Sequence, residues 1–485
     1  MNFVEDRMLQ KQLFIKTMGC QMNVYDSQQI QNRLAPMGYT LTDDLDGADI
    51  IIVNTCSVRD KAEQKAFSFL GRLQPLKQRR PDLIIGIGGC VAQQEGRRIF
   101  KRMPYVDLVF GTHAIGRLPH LVRRIVETRS RVVDVEISEF ISEHDFTQGE
   151  LPQADVSAFV TIMRGCDNHC TYCVVPHVRG TESSRSCADI LGEIEHLVSK
   201  GVREVTLLGQ NVNSYGRKEG LCRFDQLLAR VDAIEGLRRI RFTTSHPKDL
   251  SVELINCFVG LEKLCQHIHL PVQSGSNSVL KRMNRGYTRE EYLQKVAQLR
   301  AHCPQIAISS DIIVGFPGET EDDFEATLEL IRRVRFDGLF AFIYSDRPHA
   351  PAVHFDSKLD DGTKKARLHA VLARQERYTL ARHRALVGSV QEILVDGPSK
   401  RSLDETPAIA AQVNQSGPQW SGRTKGNKII HFISDGDQAP ENQGLTGQLM
   451  RIMIEKAMPH CLWGRPVGQR ETPAAPGKGD RPNAA

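Results

Sequence analysis

The sequence of 485 residues contains no apolar run approaching the roughly 20 residues that a membrane-spanning helix requires, which excludes a helical membrane protein. It has no strong excess of charge: 63 Lys and Arg against 58 Asp and Glu leave +5. So small a surplus neither demands nor excludes a nucleic-acid partner, and the placement of the charges matters more than their sum. No internal repeat of fixed period is present, which sets aside repeat arrays. The opening MNFVEDRMLQKQ is too charged for a secretory signal, so a cytoplasmic location is expected. Disorder of the whole chain is excluded by a hydrophobic content of 40%. The length allows about three domains and a large core. What the sequence does have is 12 cysteines. In a reducing compartment these thiols raise the question of metal rather than of disulfides.

The fold class is α/β with a different C-terminal texture. In residues 11–128 the apolar runs LFIKT (13–17), DIIIVNT (49–55) and LIIGIGG (83–89) alternate with helix-like stretches at 26–37 and 58–80. Continuous apolar strands of this kind suit a parallel sheet covered on both faces. Ser57 followed by Asp60 reads as a helix N-cap, and Pro75 blurs the end of that helix. Residues 129–151 read as a polar linker. Residues 152–384 hold six candidate strands, SAFVTIM, EVTLL, RIRFTT, HIHL, ISSDIIV and LFAFIY, mostly separated by helices. That predicts a partial (βα)6 barrel, two strands short of the eight-fold form. A basic helix at about 364–384 leads to 385–463, where SVQEILVDG, AIAAQVNQ, NKIIHFIS and GQLMRIMIEKA predict a small β-barrel. Residues 464–485, rich in Pro and Gly, read as a disordered tail.

Cys166, Cys170 and Cys173 lie in RGCDNHCTYC just beyond the first barrel strand. Three thiolates on one short loop can hold three irons of a 4Fe-4S cluster, leaving the fourth open to a ligand. A zinc site completed by His169 or His177, or plain small residues, are the alternatives. The position favours the cluster, because reactive groups gather at the C-terminal rim of a βα barrel.

This C-x3-C-x2-C pattern resembles that of the radical S-adenosylmethionine enzymes. The longer IMRGCDNHCTYCVVPHVRGTESSRS resembles the methylthiotransferases among them. The resemblance implies that the open iron chelates S-adenosylmethionine and that one electron cleaves it to a 5′-deoxyadenosyl radical.

Cys20, Cys56 and Cys90 follow the three N-terminal strands, in TMGCQMN, VNTCSVRD and IGGCVAQQ, 36 and 34 residues apart. In a parallel sheet all three emerge at the carboxyl edge, where open α/β sheets bind ligands. Buried structural cysteine is the alternative for any one of them, and their shared position argues against it. Gly19, Gly88 and Gly89 would let backbone pass close to something bulky. The motifs resemble the N-terminal domain of the methylthiotransferases, which implies a second, auxiliary 4Fe-4S cluster that takes part in sulfur delivery. Cys187, Cys222, Cys257, Cys265, Cys303 and Cys461 share no spacing and read as packing or surface residues.

Polar clusters end four barrel strands: Gly209-Gln210-Asn211, Ser245-His246, Gln273-Ser274-Gly275 and Gly315. Each alone reads as turn chemistry; their recurrence on one rim favours a pocket. The resemblance implies that this pocket takes S-adenosylmethionine, with Tyr172 beside the adenine. Thr320 is a candidate N-cap whose helix could face the cofactor's carboxylate. Basic residues crowd 58–80 (Arg59, Lys61, Lys65, Arg72, Lys77, Arg79, Arg80) and 97–102 (Arg97, Arg98, Lys101, Arg102), as a solvated face or a phosphate-contacting one. SGRTKGNKIIHF (421–432) resembles part of the TRAM domain of RNA-modifying enzymes. There are departures: in YSDRPHAPA (344–352), Asp346 and His349 stand where the family carries Pro and Gly, and insertions occupy about 403–418 and 434–443.

The segments HLPVQSGSNSVLKRMNRGYTREEY and IIVGFPGETEDDF resemble the tRNA-modifying branch of the family. The implied reaction is methylthiolation at C2 of N6-dimethylallyladenosine, position 37 in the anticodon stem-loop of tRNA. It uses two 4Fe-4S clusters and S-adenosylmethionine as radical source and methyl donor, with an external electron donor and sulfur source. The expected enzyme is a monomer with no membrane partner. The rivals are the same chemistry on threonylcarbamoyl-adenosine or on a ribosomal-protein aspartate, and a non-catalytic RNA-binding metal protein.

Overall fold

The computed structural model describes residues 11–57, 60–137, 156–399, 418–434 and 444–468. The N-terminal unit runs β1 (Lys11–Met18), α1 (Gln21–Leu34), β2 (Tyr39–Leu41), β3 (Ile50–Thr55), α2 (Asp60–Arg79), β4 (Ile84–Gly89), α3 (Cys90–Glu95), α4 (Arg98–Arg102), β5 (Leu108–Phe110), α5 (Leu118–Thr128) and β6 (Val132–Asp134). All six strands are parallel, in the order β2-β1-β3-β4-β5-β6. Every residue of β3 and β4 is buried, because helices cover both faces of the sheet. Pro75 sits inside α2 without ending it; the residue four back, whose carbonyl the ring crowds, is Gly71. Strands β2, β5 and β6 are three residues each, too short for a periodicity to show. β6 falls within 129–151, so the linker starts later than the sequence suggests. The rest of that stretch lies outside the described residues, and so does the capping segment at 58–59.

The central unit runs β7 (Ser157–Thr161), β8 (Met163–Arg164), α6 (Val175–Arg179), β9 (Ser183–Ser184), α7 (Cys187–Ser199), β10 (Glu204–Leu208), α8 (Phe224–Asp232), β11 (Arg239–Phe242), α9 (Val252–Gly260), β12 (His267–His269), α10 (Asn277–Arg282), α11 (Arg289–His302), β13 (Ala307–Val314), α12 (Glu321–Val334), β14 (Gly338–Ile343) and α13 (Asp361–Arg384). All six expected barrel strands are present. They form two parallel triplets, β7-β10-β11 and β12-β13-β14, joined by a single bridge between Ile240 and Leu264. The part-barrel is therefore open between β7 and β14. Side chains alternate as a strand requires. Val205, Leu207, Ile240, Ile308 and Ile312 enter the large core under the helices, whereas Glu204, Thr206, Arg241, His269, Ser309 and Asp311 face inward.

The C-terminal unit is a closed five-stranded barrel of β15 (Val390–Pro398), β16 (Gln419–Thr424), β17 (Ile429–Ile433), β18 (Leu449–Ala457) and β19 (Leu462–Pro466). AIAAQVNQ lies outside the described residues. Among the described residues the strand that follows β15 is QWSGRT, hidden from pattern reading by its lack of apolar alternation. β19 continues through Pro466, past the expected start of the tail. This barrel docks under the amino ends of the central strands. Arg241 donates to the Thr424 carbonyl (2.8 Å) and pairs with Glu204 (2.9 Å), Lys428 pairs with Asp337 (2.9 Å), and the fully buried Arg239 donates to the Arg423 carbonyl. The turn 424–428 thus floors the part-barrel.

Candidate active site: two thiol trios on one chamber

The N-terminal thiols come from adjacent strands. Met18, Thr55 and Gly89 are in register across β1-β3-β4, and Cys20, Cys56 and Cys90 follow them at the carboxyl edge. Cys56 and Cys90 are buried, 1% and 3% exposed. The glycines expected to admit something bulky let the strand ends approach one another. A Cβ on Gly19 would lie 2.6 Å from Cβ of Cys56, and one on Gly89, at φ +88°, 2.4 Å from the Thr55 carbonyl. Asn23 and Asn54 brace the edge. The Asn23 amide donates to the Thr55 carbonyl (3.1 Å), the Asn54 amide to the Asn23 carbonyl (2.8 Å), and the Cys20 N–H to Oδ1 of Asn23 (3.2 Å). A hydrogen bond from Cys56 holds the Cys20 thiol down to about 6, with the Arg179 charge adding to it. Burial raises Cys90.

Arg179 belongs to the other unit. It ends α6, the helix that follows the barrel thiol loop, and its guanidinium pairs with Asp26 of α1 at 2.7 Å, with both side chains buried (5% and 3% exposed). Its charge also bears on Cys90, opposing the effect of burial there. Thr112 donates to the Val178 carbonyl (2.7 Å) and the His113 ring meets the Arg179 carbonyl (3.0 Å). Cys90 packs with Val174, Val178 and Ala350. The carboxyl edge of the N-terminal sheet is thereby seated on the barrel loop. On its other side Met22 and Tyr25 of α1 form a cluster with Leu208 of β10, and Cys20 and Phe159 of β7 pack against it; Leu208 and Phe159 face inward. One wall of the open part-barrel is therefore the N-terminal thiol site itself.

The second trio, Cys166, Cys170 and Cys173, occupies the loop between β8 and α6. Thr171 fastens it to the end of α10 through the Met283 carbonyl (3.1 Å) and the Arg282 carbonyl (2.9 Å). Burial pushes the Cys173 thiol up to about 12 and raises Cys166. A thiolate at Cys173 therefore needs a cation against it, which metal supplies. Arg285, buried and given no role by the sequence reading, donates to Cys170 Sγ (3.3 Å), to the Tyr172 hydroxyl (3.2 Å) and to the Pro271 carbonyl (2.9 Å). Each thiol trio thus has one buried guanidinium. The two alternative zinc ligands, His169 and His177, are both exposed, and the His177 ring lies tilted against that of His349 with centroids 5.7 Å apart. Among the described residues no three His, Cys, Asp or Glu side chains converge on a single ion. The fit to iron clusters rests on the donor set, two trios of thiols each facing a guanidinium, which suits an assembly made anionic by its thiolates.

The rim residues divide by what their polar atoms do. Buried side-chain atoms without a partner gather there: Nε2 and Oε1 of Gln210, Oγ of Ser245, Nε2 of His246, Oε1 of Gln273 and Oδ1 of Asn213. Orphaned buried groups cost about 1–3 kcal/mol each, and a ligand's donors and acceptors would remove that cost. Burial, reinforced by Arg285, brings the His246 imidazole down to about 2. Its Nδ1 accepts from the Lys248 N–H (3.2 Å), so the proton stands on the unpartnered Nε2. Thr244 and Gln273 hold left-handed backbone at φ +69° and +72°, strain that collects at functional sites. The other rim residues are engaged in structure. Asn211 crosslinks Asp249 (2.8 Å) and the His246 N–H (3.1 Å). Ser274 and the Gly275 N–H meet Thr327 Oγ1. Gly209 packs on Met163, and Gly315 turns at φ +70° with its N–H on Glu319. Tyr172 stands over the thiol loop and packs with Ile313 and Phe316. Thr320 caps α12, but Glu321, Asp322 and Asp323 fill that helix's first turn. Acids there repel a carboxylate, so the expected anion contact does not stand. His349 has left-handed backbone (φ +69°), and Asp346 is tied to Lys358 at 2.6 Å.

Comparison with known proteins places this architecture. Residues 12–111 match the Uncharacterized protein family UPF0004, and residues 160–331 match the Radical SAM superfamily. The tRNA-2-methylthio-N(6)-dimethylallyladenosine synthase of Desulfosudis oleivorans is 51% identical over 98% of this chain and 100% of its own. That of Geobacter metallireducens is 50% identical over 94% and 98%. The chain belongs to the radical S-adenosylmethionine methylthiotransferase family. Fold likeness extends to a radical S-adenosylmethionine methyltransferase, TsrM, of Kitasatospora setae, solved with cobalamin and a 4Fe-4S cluster bound. The TM-score is 0.53 at 14% identity, over 71% of this chain and 77% of that one.

Two features escaped sequence reading. Arg179 and Arg285 lie inside quoted motifs, yet nothing local marks an arginine as buried against thiols. Cys187 and Cys222, read as unrelated, bring their sulfurs to 2.9 Å.

Proposed function

We propose that this enzyme methylthiolates C2 of N6-dimethylallyladenosine at position 37 of tRNA, with one 4Fe-4S cluster on Cys166, Cys170 and Cys173 and a second on Cys20, Cys56 and Cys90. The single observation that carries the reading is that the N-terminal thiol edge is seated against the barrel thiol loop and the barrel's inward face, Cys90 packing with Val174 and Val178, and Cys20 on the cluster that includes Leu208. The C2–H bond is not acidic, so general bases cannot open it, and a cofactor must carry that step. When bound, the barrel cluster with S-adenosylmethionine supplies a 5′-deoxyadenosyl radical, and the auxiliary cluster supplies sulfur.

The protein's part is placement. Gln210, Ser245, His246, Gln273 and Asn213 offer unpartnered donors and acceptors to S-adenosylmethionine on the rim. Arg285 and Arg179 hold positive charge beside the two thiol sites. The N-terminal sheet closes one flank of the chamber and excludes water from it. An external electron donor and sulfur source complete the reaction. The anticodon loop fits because its bases are single-stranded and can be splayed out. Among the described residues no helix is long and apolar enough to cross a membrane.

The test is nucleoside mass spectrometry of tRNA from a deletion strain with and without the gene restored. The expected result is N6-dimethylallyladenosine accumulating without its methylthio group, and recovery on restoration. Loss of methylthiolation from threonylcarbamoyl-adenosine or from a ribosomal protein would redirect the substrate.

A further inference from the structure

Strand β14 borders the open side of the part-barrel. Its Leu339, Ala341 and Ile343 pack outward against the main core. Phe340, on the inward face, is 53% exposed. A large aromatic left half open on the inward face beside the open side of the part-barrel offers its ring to a partner. Phe340 is the register partner of Asp311 on β13, and its ring meets that of His269 edge-on at 6.0 Å.

Behind this ring runs a chain of polar groups that aims a carboxylate into the chamber. Nε2 of His267 meets Ser309 Oγ at 3.1 Å, Ser309 Oγ meets Nδ1 of His269 at 3.0 Å, and Nε2 of His269 meets Asp311 Oδ2 at 3.4 Å. Burial drives the His267 imidazole well below its ordinary value, with Arg241, His269, Lys428 and Arg423 reinforcing it. The Ser309 hydroxyl links the two rings, so their tautomers are set together, and His269 Nε2 stands against Asp311. Asp311 is 27% exposed and keeps acceptor capacity. Two residues further along β13, about 7 Å at strand spacing, Ile313 packs on the cluster around Met283 and Phe316 against which Tyr172 of the thiol loop also packs. The Phe340–Asp311 pair therefore lies just below the level of the barrel thiols, on the flank opposite Cys20.

We infer that Phe340 and Asp311 form the seat of the target base, Phe340 stacking on its purine face and Asp311 accepting the single N–H of the alkylated exocyclic amine. The inference rests on the proposed RNA substrate. An aromatic platform and an acceptor for a base amine are the usual means of holding a splayed-out base. A secondary amine retains one hydrogen for Asp311, whereas a fully substituted one retains none, so the seat reads the extent of alkylation.

The experiment measures affinity of the iron-loaded enzyme for anticodon stem-loop RNAs carrying N6-dimethylallyladenosine, its N6-methylated derivative without the N–H, or an abasic site at position 37. Wild type is expected to prefer the first. Phe340→Ala should weaken binding about 5- to 150-fold on the base-bearing hairpins, the worth of one stacked base, and not at all on the abasic one; Phe340→Trp should restore the increment. Asp311→Leu, which keeps the shape and loses the acceptor, should bind the first two hairpins equally. Thermal melting and iron content identify a variant that fails to fold; Phe340→Trp and Asp311→Leu, which conserve shape, then decide. A base-dependent increment that survives Phe340→Ala in folded protein overturns the seat while leaving the RNA substrate in place. Wild type that ignores all three hairpins overturns both.

Discussion

The two thiol trios carry the same donors but are built in opposite ways. Cys166, Cys170 and Cys173 share a loop of eight residues, and their guanidinium, Arg285, belongs to the same unit. Cys20, Cys56 and Cys90 are brought together only when three parallel strands align in register, and their guanidinium crosses from the neighbouring unit. The first site is local and self-contained. The second depends on a sheet and on a domain interface. The N-terminal site should therefore be breakable from a distance, and the barrel site only from within.

The largest effect should come from the cysteines themselves. Cys170→Ala should abolish reductive cleavage of S-adenosylmethionine and remove the barrel cluster's iron while leaving iron at the N-terminal site. Cys56→Ala should do the reverse: no methylthiolated tRNA, but continued formation of 5′-deoxyadenosine. Iron quantification, 5′-deoxyadenosine assay and nucleoside analysis on one anaerobic preparation check both. Loss of both clusters in a folded single variant would mean that the sites are not independent, and the comparison would fail.

The same difference explains what the sequence made legible. C-x3-C-x2-C is visible because a loop puts neighbours in sequence next to each other in space. The N-terminal trio was visible through one more inference, that apolar runs such as DIIIVNT are parallel strands with a common carboxyl edge. Strands β2, β5 and β6 were not, because three-residue strands carry no periodicity, nor was QWSGRT, which pairs without apolar alternation. At the rim, composition could name Gln210, Ser245, His246 and Gln273, but it could not separate them from Asn211, Ser274 and Gly275. Only the partners of each polar atom do that. Arg179 was beyond reach, because an ion pair between residues 26 and 179 is purely tertiary.

That ion pair sharpens the comparison at intermediate magnitude. Removing one member of a buried pair costs about 3–5 kcal/mol, so Asp26→Leu or Arg179→Met should lower the thermal midpoint clearly. Replacing both with apolar residues should recover most of that stability, since the desolvation cost disappears with the charges. If Arg179 only balanced Asp26, the double variant would also regain N-terminal iron. The Arg179 charge beside Cys20 and Cys90 leads to a different expectation: stability returns, while iron at Cys20, Cys56 and Cys90 stays low and the barrel cluster is kept. Full recovery of both clusters in the double variant would reduce Arg179 to a structural pair.

The smallest effect lies on the outer face of the N-terminal unit, where the two regions also differ. Lys77, Arg79 and Arg80 of the basic run are engaged by Asp107, Asp46 and Asp49 at 2.8, 3.7 and 3.4 Å. Arg59 is outside the described residues, and of Lys61 only its place in α2 is described. That leaves Lys65, Arg72, Arg97, Arg98, Lys101 and Arg102, all exposed. Two of them lie over aromatic rings, Arg102 at 3.8 Å from the Phe67 centroid and Arg72 at 5.4 Å from that of Phe69. Such stacking holds a guanidinium outward without neutralising it. If this strip meets the tRNA backbone, Lys65→Ala, Arg72→Ala and Arg102→Ala together should weaken tRNA binding. The logarithmic salt dependence should flatten by about 0.7–0.9 for each phosphate that is no longer neutralised. Iron at both thiol sites should not change, because none of the three touches a cysteine. An unchanged affinity and salt slope would return the strip to an ordinary solvated face, and the groups that bind phosphate would then have to be sought on the barrel side of the molecule.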